Sequence, residues 1–279
     1  MDCARDCEAG NLEYASIGWF EDRLMWRLAP MCLLAFLNGC MSMAPRPTTY
    51  RAASPSSAEQ LGIVFVANGS GDFRGLSRNL VQVATETCAP LQIETVEWSR
   101  GLGRVVADQT GHQNHLDQGR RLAVQVDTHR RTCPRQRIYL LGHSAGSAVV
   151  LAAAEALPEN SVDRIVLLSP SVSATHDLRP ALRASRCGID VYYNELDLLV
   201  LGLCTTVVGT ADHGCRTAAG REGFTPIICT PDDAALYGKL RQHPSQPAFQ
   251  SADHYRGHYG DTLPAYLRAH ILPLLLQGQ

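Results

Sequence analysis

The stretch Arg137-Ile138-Tyr139-Leu140-Leu141-Gly142-His143-Ser144-Ala145-Gly146-Ser147-Ala148-Val149-Val150-Leu151 decides the fold. Ile138 to Leu141 is an apolar run rich in strand formers, and it predicts a strand over 137–142. Ser147 to Ala156 is small, apolar and helix-forming, and it predicts a helix over 146–156. Between them Gly142-His143-Ser144-Ala145-Gly146 matches G-x-S-x-G, a pattern that puts a serine on the crest of a sharp strand-to-helix turn. Its hydroxyl then stands above the sheet, within reach of a base and a carbonyl. Side chains at 142 and 146 would crowd so tight a reversal, and glycine removes them.

Working outward, strand and helix alternate in both directions. Leu61 to Ala67 (LGIVFVA) reads as a strand buried on both faces that stops at Asn68-Gly69-Ser70-Gly71. Helix 75–87, strand 92–98 and helix 115–132 follow before the decisive stretch. After it come strand 163–169, a helix near 177–185, strands 189–194 and 226–230, and helices at 232–241 and 262–276. Such alternation implies right-handed crossovers and an α/β class with one mostly parallel central sheet covered by helices on both faces. No internal repeat interrupts it, so 61–279 is read as one domain. Ligands of such sheets sit at the carboxyl ends of the strands.

The 279 residues carry 25 Lys+Arg against 27 Asp+Glu, a net charge of −2, which argues against nucleic acid as a partner. With 45% hydrophobic and 19% charged residues the chain has an ordinary globular composition. Residues 1–40 read as a leader. Its first 24 residues are acidic, unlike a secretory n-region, whereas a start at Met25 supplies Arg27 and then the apolar run Leu28 to Leu37. That run is about half the roughly 20 residues a membrane-spanning helix needs. Leu37-Asn38-Gly39-Cys40 resembles the lipobox of bacterial lipoproteins, which implies acylation of Cys40 and a location as an exported, periplasmic or membrane-anchored lipoprotein. Asn38 departs from the small residue usual there, so ordinary signal cleavage is the alternative, and a cytoplasmic protein with a chance apolar run is the other. Residues 41–60, rich in Pro, Ser and Thr, read as a tether.

Ten cysteines less Cys3, Cys7, Cys32 and Cys40 leave six in the domain. In an oxidising compartment Cys88 and Cys133 form the candidate disulfide, each ending a helix before a strand; the alternative is buried free thiols. The spacings repeat no C-x-x-C zinc pattern.

With the serine turn in its strand–turn–helix context, residues 61–276 resemble the α/β-hydrolase family, nearest in motif to its lipase and esterase branch. The resemblance implies Ser144 as nucleophile, then an acid, then a histidine. The acid follows the second strand beyond the turn, which points to Asp197, with Glu195 as the alternate. The histidine belongs between the last strand and the final helix, which leaves His254 and His258. His258 is preferred because Gly257 and Gly260 flank it and a helix begins just after. His176 and His213 come too early, His270 lies inside the terminal helix, and His243 stands at a frayed helix end. The oxyanion donors implied are the backbone N–H groups of Ala145 and Ser70, the latter by aligning Asn68-Gly69-Ser70 with the His-Gly-x of lipases. Asn68 replaces the histidine, which keeps Gly69 open as the donor instead.

A metal at His254 and His258 beside Asp253 and Asp261 would need a helical segment, which the glycines oppose, and Asp108, His112 and His115 read as a solvated polar face. The expectation is therefore a serine hydrolase acting on a small-molecule carboxylic ester through a Ser-His-Asp triad and an acyl-enzyme, with no cofactor and no metal. A catalytically inactive hydrolase-fold binding protein anchored at a membrane is the alternative. The long connection from Leu198 to Phe224 is read as a lid or pocket wall.

Overall fold

The structure, a computed structural model, describes residues 61–194, 210–212, 217–244 and 258–277. The chain divides into two units, Met1–Ser42 and Met43–Gln279, and all described residues lie in the second. The leader, the tether and Cys40 lie outside the described residues.

Six strands form one sheet: β1 (Gly62–Ala67), β2 (Leu91–Thr95), β3 (Arg137–His143), β4 (Arg164–Leu168), β5 (Ile189–Tyr193) and β6 (Leu240–Pro244). Their spatial order is β2-β1-β3-β4-β5-β6, and every pair is parallel. The period of two along a strand sends alternate residues to opposite faces. Val64, Val66, Tyr139 and Leu141 accordingly join one core, with Leu76, Leu80 and Val83 of α1 (Gly75–Glu86) and Leu267, Ile271 and Leu275 near the C-terminus. Two short helices, α2 (Val105–Gln109) and α6 (Ala219–Glu222), sit in the connections. Ile63, Phe65, Ile138 and Leu140 join the other core, with Leu122 and Val126 of α3 (His112–Thr132), α4 (Gly146–Glu155) and α5 (Arg179–Ala184). Each large apolar side chain buried this way contributes about 1.5–3 kcal/mol.

The order has one reversal. From β1 the chain moves outward to β2, then returns to place β3 on the far side of β1. The crossovers leaving the carboxyl ends of β1 and β3 diverge, and a crevice opens between them at this switch point. The ends concerned are Asn68–Gly71 and His143–Gly146.

The structure corrects the sequence reading in five places. The expected strand 226–230 is irregular and largely exposed, and β6 lies instead at Leu240–Pro244, within and beyond the helix expected over 232–241. That helix, α7 (Pro231–Tyr237), is shorter because Thr230 and Asp233 close a capping box at its start and Gly238 ends it. The polar edge strand is held by charge. Asp190 of β5, fully buried, accepts hydrogen bonds from Arg164 of β4 (2.6 Å) and from Arg241 (2.8 Å) and His243 (3.0 Å) of β6. Burial opposes the Asp190 carboxylate, and the hydrogen bonds from Arg241, His243 and Arg164 outweigh it and lower its pKa.

His243 is thus a strand residue paired with a buried carboxylate, where a frayed helix end was expected. Asp108 and His115, expected on a solvated face, are buried. Cys88, Cys133, Cys187 and Cys229 are free thiols, so the Cys88–Cys133 bridge is not formed, and three of the four are exposed where buried thiols were the alternative. Among the described residues no helix is long and apolar enough to cross a membrane.

Candidate active site

Ser144 sits at the end of β3 with φ of 52°, left-handed backbone that a serine adopts only under constraint from its surroundings. The constraint is visible in the contacts. The Ser144 N–H donates to Leu168 O (3.0 Å) and its carbonyl accepts from Ser171 N (3.1 Å), so the β4 end holds the turn from both sides. A Cβ at Gly146 would collide with the carbonyl oxygens of Ala67 and Asn68, and one at Gly142 would lie 2.8 Å from Ser147 Cα. Glycine at these two positions lets α4 start against the end of β1.

That close approach sets the Asn68–Gly71 loop beside the turn. A Cβ at Gly69 would lie 3.3 Å from Ser144 Cβ. The loop is tied down at both ends. Asn68 Oδ1 accepts from Ser77 N and Asn68 Nδ2 donates to Ser77 Oγ, both at 3.0 Å, so the residue standing for the lipase histidine fixes the loop to α1. Trp98 Nε1 donates to Asn68 O (2.8 Å), Gly71 N donates to Asp108 Oδ2 (2.9 Å), and Gly103 N donates to Gly71 O (3.0 Å). In contrast, no protein acceptor among the described residues takes a hydrogen bond from Ser70 N or Ala145 N. Ser70 Oγ is also buried without a hydrogen bond. Ala145 precedes the first turn of the ten-residue α4, whose positive dipole end adds to the pull on an anion.

His258 is buried and lies close to this turn. Its ring centroid is 4.9 Å from that of His143, the residue preceding Ser144. His143 Nε2 is 3.0 Å from the His258 carbonyl; since a carbonyl only accepts, Nε2 carries the proton and donates. The other edge of His143 faces Gly69, where a Cβ would lie 2.8 Å from Nδ1. His143 therefore fills the space between the Asn68–Gly71 loop and the His258 segment. Asp261, three residues on, accepts from Ser169 Oγ at the β4 end (2.7 Å), and Asn79 Nδ2 of α1 donates to Thr262 O (2.9 Å). These bonds anchor the His258 segment over the sheet.

Asp197, Glu195 and His254 lie outside the described residues. The sequence places Ser144, Ala145, Ser70 and His258 in this cluster; the residues around them that it does not reveal are His143, Asp108, Trp98 and Asp261. Asp108 accepts from Gly71 N, Ser99 Oγ (2.5 Å) and Arg100 N (2.9 Å) while fully buried. His115 packs against it, with Nε2 2.6 Å from Asp108 O and Nδ1 3.0 Å from Ala211 O. Burial lowers the His115 pKa, so the ring is neutral near pH 7 and donates to one of these carbonyls at a time. Beyond the β4 end, His176 bridges Asp212 (3.2 Å) and Glu155 (2.7 Å). Burial disfavours its imidazolium, but the hydrogen bonds to Asp212 and Glu155 prevail and push it up to about 9. Burial likewise opposes the Asp212 carboxylate, which hydrogen bonds from His176, Thr210 and Ser173 N hold down at about 2. Among the described residues no group of three or more His, Cys, Asp or Glu is arranged to hold a metal ion.

A family model described as serine aminopeptidase, S33, matches residues 92–213, a span that includes the Ser144 turn and ends before His258. Among solved structures the chain is similar to esterase PE8 at 20% identity and a TM-score of 0.46, covering 79% of this chain and 97% of that one. It is similar to a Trichoderma reesei cutinase bound to a phosphonate inhibitor at 17% identity and a TM-score of 0.40, covering 68% and 83%. An α/β serine hydrolase without a lid from Xanthomonas campestris aligns at 13% identity and a TM-score of 0.42, covering 82% and 84%. With TM-scores below 0.5, none of these three likenesses bears on substrate or mechanism. No curated relative matches the chain. The all-parallel sheet with its switch point and the strained turn between β3 and α4 give the chain an α/β-hydrolase fold, and the family match spans that turn.

Proposed function

We propose that the chain is a serine hydrolase that cleaves a carboxylic ester of a small molecule. The observation that carries this reading is the strained Ser144 turn flanked by two unbonded backbone donors, Ser70 N–H and Ala145 N–H. Structures rarely leave buried N–H groups without acceptors, so a pair left open beside a serine suits a ligand oxygen that becomes an anion. In the proposed reaction Ser144 Oγ attacks the ester carbonyl carbon while the His258 imidazole takes its proton. The carbonyl oxygen becomes an oxyanion bound by the two N–H groups. The tetrahedral species collapses as His258 protonates the departing alcohol, leaving an acyl-Ser144 ester. Water, deprotonated by His258, then attacks this ester, releases the carboxylic acid and restores the hydroxyl. Asp197 is the proposed acceptor of the other imidazole N–H, holding the ring's tautomer.

Support for an apolar acyl group comes from side chains that the fold leaves exposed on segments next to the turn. Leu102 and Val106 lie beside Gly103 and Asp108, the two residues bonded to Gly71, and Tyr259 follows His258. Cys40 is the proposed site of acylation, making the domain an exported lipoprotein on a Pro- and Ser-rich tether; radiolabelled palmitate incorporated by the wild type and lost on Cys40→Ser tests it.

The function is tested with p-nitrophenyl esters of short, medium and long acyl chains. Turnover that Ser144→Ala abolishes is expected, and turnover unchanged in that variant would refute the reading.

A further inference from the structure

The unbonded Ser70 N–H belongs to the Gly69–Ser70 peptide, and glycines stand on either side of Ser70. Gly71 has φ of 87°, in the left-handed region, and Gly69 carries no side chain to resist rotation. A loop with glycine at both positions shifts at little cost, and a displaced Gly69 Cα or Ser70 Cα would carry the Ser70 N–H away from where it is needed. Something must hold it.

The two neighbouring peptides are both fixed by buried groups. Trp98 Nε1 donates to Asn68 O (2.8 Å), which fixes the Asn68–Gly69 unit. Asp108 Oδ2 accepts from Gly71 N (2.9 Å), which fixes the Ser70–Gly71 unit. The first donor is on an indole 2% exposed, and the second acceptor is on a carboxylate that is itself fully buried. Asp108 is further saturated by Ser99 Oγ and Arg100 N, so it cannot turn toward another donor. We infer that Asp108 and Trp98 are positioning residues that aim the Ser70 N–H at the developing oxyanion by fixing the peptides before and after it.

Neither side chain hydrogen-bonds to Ser144 or His258, which separates this role from the triad. The inference rests on the proposed ester hydrolysis, because without an oxyanion there is nothing to aim at. It explains why α2, only five residues long, presents a fully buried carboxylate. Such a group is costly unless saturated by donors, and it has three.

Asp108→Asn keeps the shape and one acceptor oxygen but directs an NH2 at groups that are themselves donors. Trp98→Phe keeps a ring and deletes the N–H, so it serves if the first variant fails to fold. Removing one oxyanion donor outright costs about 10²–10³ in kcat, and loosening one should cost less. Each variant is expected to lose about 10- to 100-fold in kcat on p-nitrophenyl butyrate with KM within about threefold of wild type. The comparison variant is Asp190→Asn, a buried carboxylate with a full set of partners on β5, away from the switch point, expected to lower the melting temperature while leaving kcat unchanged below it. Folded Asp108→Asn and Trp98→Phe enzymes with wild-type kcat, or with a raised KM alone, would overturn the inference. Phosphonylation of wild-type Ser144 is read in parallel: if it occurs and kcat is unchanged in both variants, this inference alone fails, whereas its absence removes the hydrolase reading and this inference together.

Discussion

Two sets of buried polar groups lie on the same sheet and are treated in opposite ways. At the β4–β5–β6 side Asp190 is fully buried and fully paired, with Arg164, Arg241 and His243 all donating to it. At the β1–β3 switch point the Ser70 and Ala145 N–H groups and the Ser70 hydroxyl have no protein partner among the described residues, although the groups around them do. Burial of a polar group is costly unless a partner meets it. A saturated group is explained by the fold alone. Unsatisfied donors beside a strained serine call for a ligand, and the difference marks where structure ends and chemistry begins.

The largest expected effect sharpens the chemical side. His258→Ala should lower kcat for a p-nitrophenyl ester by about 10³-fold or more, the scale on which triad members act. His254→Ala should change it by no more than about fivefold. Stopped assays of both variants beside wild type decide between the two histidines, and the reverse pattern would move the base to position 254.

On the structural side, Asp190→Ala removes the buried acceptor shared by Arg164, which is largely buried, and by Arg241 and His243, which are partly open to solvent. With two of the three donors free to turn to water, the loss should be about 1–3 kcal/mol, set mainly by Arg164. Urea unfolding should show a loss of that size, while kcat measured below the transition stays at the wild-type value. A kcat that fell without any loss of stability would break the comparison, since it would give the paired group a catalytic part.

A further effect depends on pH. The folded-state pKa of His176, about 9, lies above the ordinary value of 6.5, so its stabilisation is complete below pH 6.5 and disappears as pH rises through 9. Asp212 is depressed to about 2 from 3.8, so its part is present above pH 3.8 and is lost only as pH falls through 2. Between about pH 6.5 and 9.5 the wild type should lose on the order of 2 kcal/mol relative to His176→Gln. Urea titrations across that range check it, and parallel curves for the two proteins would show that the His176 bridge to Asp212 and Glu155 adds no stability.

The smallest effect concerns Ser70. Its hydroxyl makes no hydrogen bond, so Ser70→Ala removes nothing the fold uses and should leave the unfolding free energy within about 1 kcal/mol. With the backbone N–H as donor, kcat should stay within about threefold. A drop of about 10²-fold would make the hydroxyl an oxyanion donor in its own right.

The alternation that builds the sheet could be read from the chain because β1, β3 and β4 are buried on both faces and therefore spell continuous apolar runs. The Ser144 turn could be read for a similar reason: its demands are local, two glycines and small residues within a few positions of one another. β6 could not. Leu240-Arg241-Gln242-His243-Pro244 has the polarity of an edge strand, and what makes it a strand is the buried Asp190 about fifty residues earlier. Ile227 and Ile228 misled for the converse reason, being apolar without a strand to pair with, and Ile228 is 57% exposed. Asp108 and His115 look like solvated residues because the groups that satisfy them, Gly71 N, Arg100 N and the carbonyls of Asp108 and Ala211, are mostly backbone atoms. Backbone partners leave no trace in a sequence. The expected histidine segment does not depend on where the last strand lies, because it is set by chain order: His254 and His258 follow β6 in sequence as they followed the expected strand.

The central claim is that Ser144 is a nucleophile next to a prepared oxyanion site. Incubation of the folded protein with a fluorophosphonate, followed by peptide mass spectrometry, tests it most directly. A single phosphonate adduct on the peptide carrying Gly142-His143-Ser144-Ala145-Gly146, absent from Ser144→Ala and slowed at least about a hundredfold in His258→Ala, is the expected result. No adduct at Ser144 in the folded wild type, or labelling that persists unchanged in His258→Ala, would contradict it.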